Sequence, residues 1–301
     1  MRKITQDVLG GPETLRLVTA DVPAPGPTEI LVETRAIGVN PADWKTRTTG
    51  GFLGSPPFTV GWELSGVVAA TGLGVTRFAV GDEVFGIPWF PREGAAYAEY
   101  VTGPARHFTS KPPTMSFEEA AGLALAGLTA LQALVETAAV LPDQRVLIPA
   151  AAGGVGHLAV QLAKLRGAYV IGTASAAKHD LVRSLGADEV LDHHTEDYSA
   201  LKDIDVAIAT VAGQIPQLAA CLRPEGLIVA LNTEDLQPVT DVEGVLIMVE
   251  PDRAGLDVLS AHALEGELRV LVDQVFPLAE AAAAHEMGEA GHTTGKLILV
   301  P

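Results

Sequence analysis

A single cysteine, Cys221, stands in a chain of 301 residues. One thiol excludes an intrachain disulfide and a cysteine-rich structural zinc site, and it suits a reducing compartment, so a cytoplasmic location is expected. Basic residues are also scarce, since 20 Lys and Arg against 37 Asp and Glu leave a net charge of −17. That field opposes binding to nucleic acid or to an anionic membrane, and neither is an expected partner. A small anionic ligand must be captured by local cations. The opening residues 1–7 lack the apolar core of a signal peptide. No apolar run reads as long and uninterrupted enough for a transmembrane helix.

What is present is a glycine-rich turn in a telling context. Residues 145–164 read as a buried strand, a turn holding Gly153, Gly154 and Gly156, and an amphipathic helix. The β-rich run 169–173 then completes a βαβ unit. Glycines there let the backbone approach a pyrophosphate, and the following helix offers that anion its free N–H groups and positive dipole end. The competing explanation is a strand-to-helix turn packed for structure alone.

Around this unit the chain changes period. Residues 1–116 alternate short β-branched runs with Gly and Pro, as in 30–33, 66–70 and 82–85, which predicts an antiparallel, barrel-like β domain. Ser116 and Glu119 have the spacing of a helix capping box. Residues 117–264 carry six strand candidates, at 146–148, 170–173, 189–191, 205–211, 227–231 and 245–249, several separated by helical stretches. They predict a doubly wound parallel sheet, a Rossmann domain. Residues 265–301 hold a helix at 278–290 and a strand at 295–300, and are expected to return to the first domain.

The turn is spelled A-x-x-G-x-x-G through Ala150, Gly153 and Gly156, with Gly154 and Val155 inside it. Further motifs run the length of the chain: GVNPAD at 38–43, GWELSGV at 61–67, VGDEVFG at 80–86, AAYAEYV at 95–101, AGLTA at 126–130, LGAD at 185–188 and Gly295-Lys296. Together they resemble the zinc-independent, zeta-crystallin-like quinone oxidoreductases of the medium-chain dehydrogenase/reductase superfamily. The resemblance implies an α/β fold with a GroES-like catalytic domain and a Rossmann domain, NADPH as cofactor, an enone or quinone as substrate, and a homodimer. Zinc-dependent relatives carry a cysteine near the position of Asn40 and a histidine in a Gly-His-Glu segment. This chain reads Gly61-Trp62-Glu63, so no metal site is expected, and His193-His194 reads as a solvated turn.

Individual residues follow. NAD-specific proteins place an acid at the end of the second Rossmann strand; here Ser175 and Lys178 stand instead, suited to a 2′-phosphate, or else merely exposed at a helix start. His193 falls where relatives often carry a phosphate-contacting tyrosine. Thr129, Asn232 and Lys296 match family positions near the cofactor, although Thr129 could equally be an ordinary helix residue. Asn40 and Lys45 are the candidate catalytic residues. By resemblance Asn40 lies beside the nicotinamide; locally, Asn40, Pro41 and Asp43 also make a helix start. Lys45 could donate to an oxyanion or simply pair at the surface. Trp44, Phe52, Trp62 and Trp89 read either as a flat pocket wall or as core. The expected reaction is hydride transfer to an α,β-unsaturated carbonyl or quinone. The rivals are a pathway-specific enoyl reductase and a cofactor-binding protein with little turnover.

Overall fold

A computed structural model describes residues 1–231 and 243–301. Among the described residues, nine strands make the β-rich part: β1 (Arg2–Thr5), β2 (Arg16–Thr19), β3 (Glu29–Val39), β4 (Leu64–Thr71), β5 (Glu83–Gly86), β6 (Tyr100–Pro104) and β7 (Phe108–Ser110), with two more contributed by the chain's end. Between β3 and β4 lies α1 (Pro41–Thr49). Asn40 is its N-cap, Pro41 opens its first turn and Gly50 closes it in the left-handed region at φ 84°. After β7 comes α2 (Phe117–Leu131). Ser116 N–H donates to Glu119 at 2.8 Å and Glu119 N–H to the Ser116 hydroxyl at 3.1 Å, the reciprocal capping that the sequence predicts.

The six expected parallel strands are β8 (Arg145–Ile148), β9 (Tyr169–Ala174), β10 (Glu189–Asp192), β11 (Ile204–Ala209), β12 (Leu222–Ala230) and β13 (Glu243–Leu246). Their order is β10-β9-β8-β11-β12-β13, with every neighbouring pair parallel. The order reverses beside β8, which is where a doubly wound sheet opens a crevice at its carboxyl edge. Helices α3 (Gly156–Leu165), α4 (His179–Ser184) and α5 (Ile215–Ala219) connect the strands. Leu147, Ile171, Ala207, Ile208 and Ile228 are buried along them, and both-sided burial explains why these strands read as apolar runs without alternation.

The chain closes with α6 (Arg253–Leu264), β14 (Val272–Pro277), α7 (Ala281–Glu289) and β15 (Lys296–Val300). β15 pairs antiparallel with β3 and parallel with β14. The seven-stranded sheet β14-β15-β3-β4-β5-β7, with β6 also on β3, is therefore antiparallel except at that last pair. Its core gathers Ile30, Val32, Leu64, Val84, Phe108 and Leu297.

Two compact units result: Met1–Leu128 with Glu250–Gly266 and Val270–Pro301, and Thr129–Val249 with Glu267–Arg269. The limits drawn from sequence at 116 and 264 put α2 and α6 with the nucleotide domain, whereas the compact units group α6 and most of α2 with the first. One expectation is corrected. The helical run Phe117–Thr137 is long and apolar enough to cross a membrane by length and composition, because α2 continues into a π-helical turn. Its most apolar window is 83% buried inside the protein, as in a core helix.

Candidate active site and nucleotide cradle

In the first unit, β3 ends at Val39 and delivers Asn40 directly into the start of α1. The Asn40 side chain is buried, and its orientation is dictated by its neighbours. Lys296, on β15, can only donate; its ammonium meets Asn40 Oδ1 at 2.6 Å, Glu63 Oε1 at 2.8 Å and the Val39 carbonyl at 3.1 Å. Asn40 Nδ2 in turn donates to Glu63 Oε1 at 2.7 Å. The second Glu63 oxygen accepts the Leu125 N–H of α2 at 2.6 Å. Glu63 is fully buried, and a Cβ on Gly38 would overlap its carboxylate, so only glycine permits this approach. Nothing along the chain pairs Glu63 with Lys296 or either with Asn40, because two buried opposite charges far apart in sequence leave no local pattern.

Lys45 lies on α1, half-buried, and is not part of this cluster. The four aromatics do not form one wall. Phe52 and Trp62 meet Phe90 at centroid distances of 5.3 and 5.7 Å, whereas Trp44 packs edge-on to His285 and Trp89 to His107. Trp62 is fully buried and its indole N–H donates to the Arg92 carbonyl at 2.7 Å.

In the second unit the turn after β8 is tightly built. Ala150 adopts φ 48°, and a Cβ on Gly156 would overlap the Ala150 carbonyl, so α3 can begin this close to the strand only with glycine there. The Ala151 N–H bonds the Thr173 carbonyl at 2.9 Å, and the ring of the buried His157 holds the Gly153 carbonyl at 2.8 Å. Ala150, Gly153, Gly154, Val155 and Gly156 thus form a compact turn at the N-terminus of α3 that is the candidate nucleotide cradle. Register places the other candidates beside it. Ala174 pairs with Asp192, so Ser175 and His193 leave the carboxyl ends of adjacent strands side by side. Lys178 sits one 3-10 turn after Ser175, its N–H on the Ser175 carbonyl at 2.8 Å. Thr129 is buried near the end of α2. Asn232 lies outside the described residues.

The Alcohol dehydrogenase GroES-like domain family matches residues 26–142, and the Zinc-binding dehydrogenase family matches residues 185–299. A chloroplast envelope quinone oxidoreductase homolog of Arabidopsis thaliana is 33% identical over 97% of this chain and 95% of its own length. A 2-haloacrylate reductase of a Burkholderia species is 33% identical over 97% and 96%. The Escherichia coli quinone oxidoreductase complexed with NADPH superposes with a TM-score of 0.91 at 30% identity, covering all of both chains. The chain belongs to the quinone oxidoreductase family. It is an oxidoreductase of the medium-chain dehydrogenase/reductase superfamily, served by a nicotinamide cofactor.

Zinc, named in one of the matching family descriptions, does not fit this quinone oxidoreductase site. A neutral amide stands at Asn40, an indole with its N–H already donated at Trp62, and the Glu63 carboxylate is held by an ammonium. Elsewhere, Asp192, His193 and His194 bring their ligand atoms within 4.8 Å of one another at the surface, as do His262, Glu265 and Glu267. The nicotinamide cofactor does fit, since the cradle has the close glycine-to-carbonyl contact that a Cβ would destroy.

Proposed function

We propose that the protein is an NADPH-dependent, zinc-independent reductase of α,β-unsaturated carbonyls or quinones. The choice of NADPH is supported by the end of β9, where Ser175 and Lys178 stand with no carboxylate in residues 174–178. Ser175 and Lys178, with His193 on the adjacent strand end, would take the 2′-phosphate. The cradle from Ala150 to Gly156 would take the pyrophosphate, and Thr129, Asn232 and Lys296 remain proposed cofactor contacts. When bound, the nicotinamide supplies a hydride.

The observation that carries the reaction class is the buried Asn40 amide, locked by an ammonium on its oxygen and a carboxylate on its nitrogen where zinc chemistry has no ligands. Alcohol oxidation would need a Lewis acid for the alkoxide, and this donor set does not hold one. An activated C=C bond needs less: hydride adds to the electrophilic carbon, the π electrons move to the carbonyl oxygen, and a proton from water completes the product. The second Nδ2 N–H of Asn40 is held only weakly, by the Gly38 carbonyl at 3.5 Å, and is the donor proposed for the developing oxyanion. Lys45 is proposed as a second donor. The same reading makes the protein cytoplasmic and a homodimer.

A screen of enones, enoyl thioesters and quinones, following NADPH absorbance with product identification, tests the reading. An enone or quinone is expected to be reduced, with activity surviving chelation. Strict use of one enoyl thioester would favour a pathway enzyme, and cofactor binding without turnover would overturn the reaction. Lys178→Glu should weaken NADPH far more than NADH. Asn40→Ala and Lys45→Met should lower kcat with NADPH affinity nearly intact.

A further inference from the structure

Behind Asn40 lies a second buried polar chain that the reduction chemistry leaves unused. Arg47 Nη1 is 3.1 Å from His285 Nδ1, His285 Nε2 is 2.9 Å from the Tyr97 hydroxyl, and that hydroxyl is 3.2 Å from Asp43 Oδ2. Asp43 Oδ2 also accepts the backbone N–H of Asn40 at 2.6 Å. All four side chains are buried, and the chain ends toward solvent where Arg47 Nη2 pairs with the partly exposed Glu289 at 2.7 Å. The protons can be assigned from one end. A guanidinium has no lone pair, so Arg47 must donate and His285 Nδ1 must accept. A neutral ring then carries its proton on Nε2 and gives it to the Tyr97 oxygen, which leaves the Tyr97 O–H pointing at Asp43.

We propose that Arg47, His285, Tyr97 and Asp43 form a one-directional hydrogen-bond relay whose terminal carboxylate positions Asn40, which makes Asp43, Tyr97 and His285 positioning residues for the reduction. This rests on the proposed role of Asn40 as an oxyanion donor. The Asn40 N–H bonded to Asp43 is on the same residue as the amide held by Lys296 and Glu63, so a loosened Oδ2 contact shifts that amide directly. Burial first, and the Arg47 charge second, push the His285 ring down to about 3, so it stays neutral as the relay requires. Burial pushes the Asp43 carboxyl up to about 7. Oδ1 has no partner among the described residues. The groups facing Asp43 act in both directions: the Asn40 N–H, Lys296 on β15 and the Tyr97 hydroxyl favour the carboxylate, whereas Glu63 opposes it. A proton on Asp43 weakens its bond to Asn40, so turnover should fall as pH drops through this range. Tyr97→Phe deletes a donor that favours the carboxylate and should move that fall to higher pH.

The test pairs a spectroscopic arm with a kinetic one. In protein labelled with 15N-histidine, His285 should be neutral with its proton on Nε2 from about pH 5 to 8; an imidazolium or an Nδ1–H tautomer would overturn the relay. In protein labelled at the aspartate carboxyl carbon, with Asp43→Asn for assignment, Tyr97→Phe should raise the Asp43 midpoint by about half a unit or more. The acid limb of kcat for the best enone should shift equally, with NADPH affinity unchanged. His285→Gln keeps an acceptor for Arg47 and a donor for Tyr97 and should preserve both midpoints, while His285→Leu, which leaves the Tyr97 O–H facing Asp43 but unaimed, should shift them in the same direction by less than Tyr97→Phe does. Unmoved midpoints in Tyr97→Phe, or in His285→Leu should Tyr97→Phe not fold, would overturn the proposal. If no enone or quinone is reduced, the proposed reaction fails, and the ring-nitrogen and carboxyl signals still decide the relay.

Discussion

Glu63 and Lys296 show how much a single pair of side chains can commit. Both are buried, and each carries a full charge out of water that only the other, with Asn40, the Val39 carbonyl and the Leu125 N–H, can offset. Removing one partner strands the other. Glu63→Gln is therefore expected to lower unfolding free energy by about 3–5 kcal/mol in chemical denaturation. Adding Lys296→Met to it should recover much of that loss, because no unpaired charge then remains. Equal stability of Glu63→Gln and the unmodified protein would mean that water already reaches the pair. Asn40 and Lys296 are each legible from sequence as family positions, whereas Glu63 stands out only as the neighbour of Trp62. Nothing local in a sequence says that a carboxylate will be buried.

At the scale of elements, α1 and α7 meet through Arg47 and His285, and their buried groups give stability opposing dependences on pH. The unfolded chain releases the Asp43 proton near 3.8, whereas the folded protein keeps it until about 7. The contribution of Asp43 to stability thus declines as pH rises across that window. For His285 the order is reversed: the unfolded ring takes up a proton below 6.5 and the folded one only near 3, so its contribution is lost as pH falls. Compared with the unmodified protein between about pH 4 and 6.5, Asp43→Asn should gain stability more steeply with pH and His285→Gln less steeply. Each difference should be on the order of a few kcal/mol. Parallel pH profiles for all three proteins would show that neither group titrates as its burial requires. The α1 start at Asn40 and Pro41 and the α2 start at Ser116 were both legible, since caps are local chemistry. The parallel pairing of β14 with β15 was not, because the two strands are joined through α7.

For the whole molecule, the exposed edge of the six-stranded sheet matters most. β13 pairs with β12 on one side, and among the described residues no strand pairs with its other side. Val245 and Met248 are exposed there, and Ile247 extends the ladder through its N–H to the Ala230 carbonyl. An apolar edge of this kind is satisfied by pairing with a second copy across a two-fold axis. The unmodified protein is expected to be a dimer at micromolar concentration by light scattering and Ile247→Lys to be monomeric. A monomeric unmodified protein would remove the pairing.

Local chemistry was legible along the chain: the tight turn at 150–156, the helix caps and the six apolar strands, each written in a few consecutive residues that steric limits and backbone hydrogen bonding read without outside help. Tertiary structure alone decided which distant groups share one buried space. It set Glu63 against Lys296 and Asn40, drew His285 between Arg47 and Tyr97, and separated Trp44 and Trp89 from the Phe52–Trp62–Phe90 cluster. The physical reason is that charge pairing and ring packing depend on distance in space and on exclusion of water, and neither has a period along the chain.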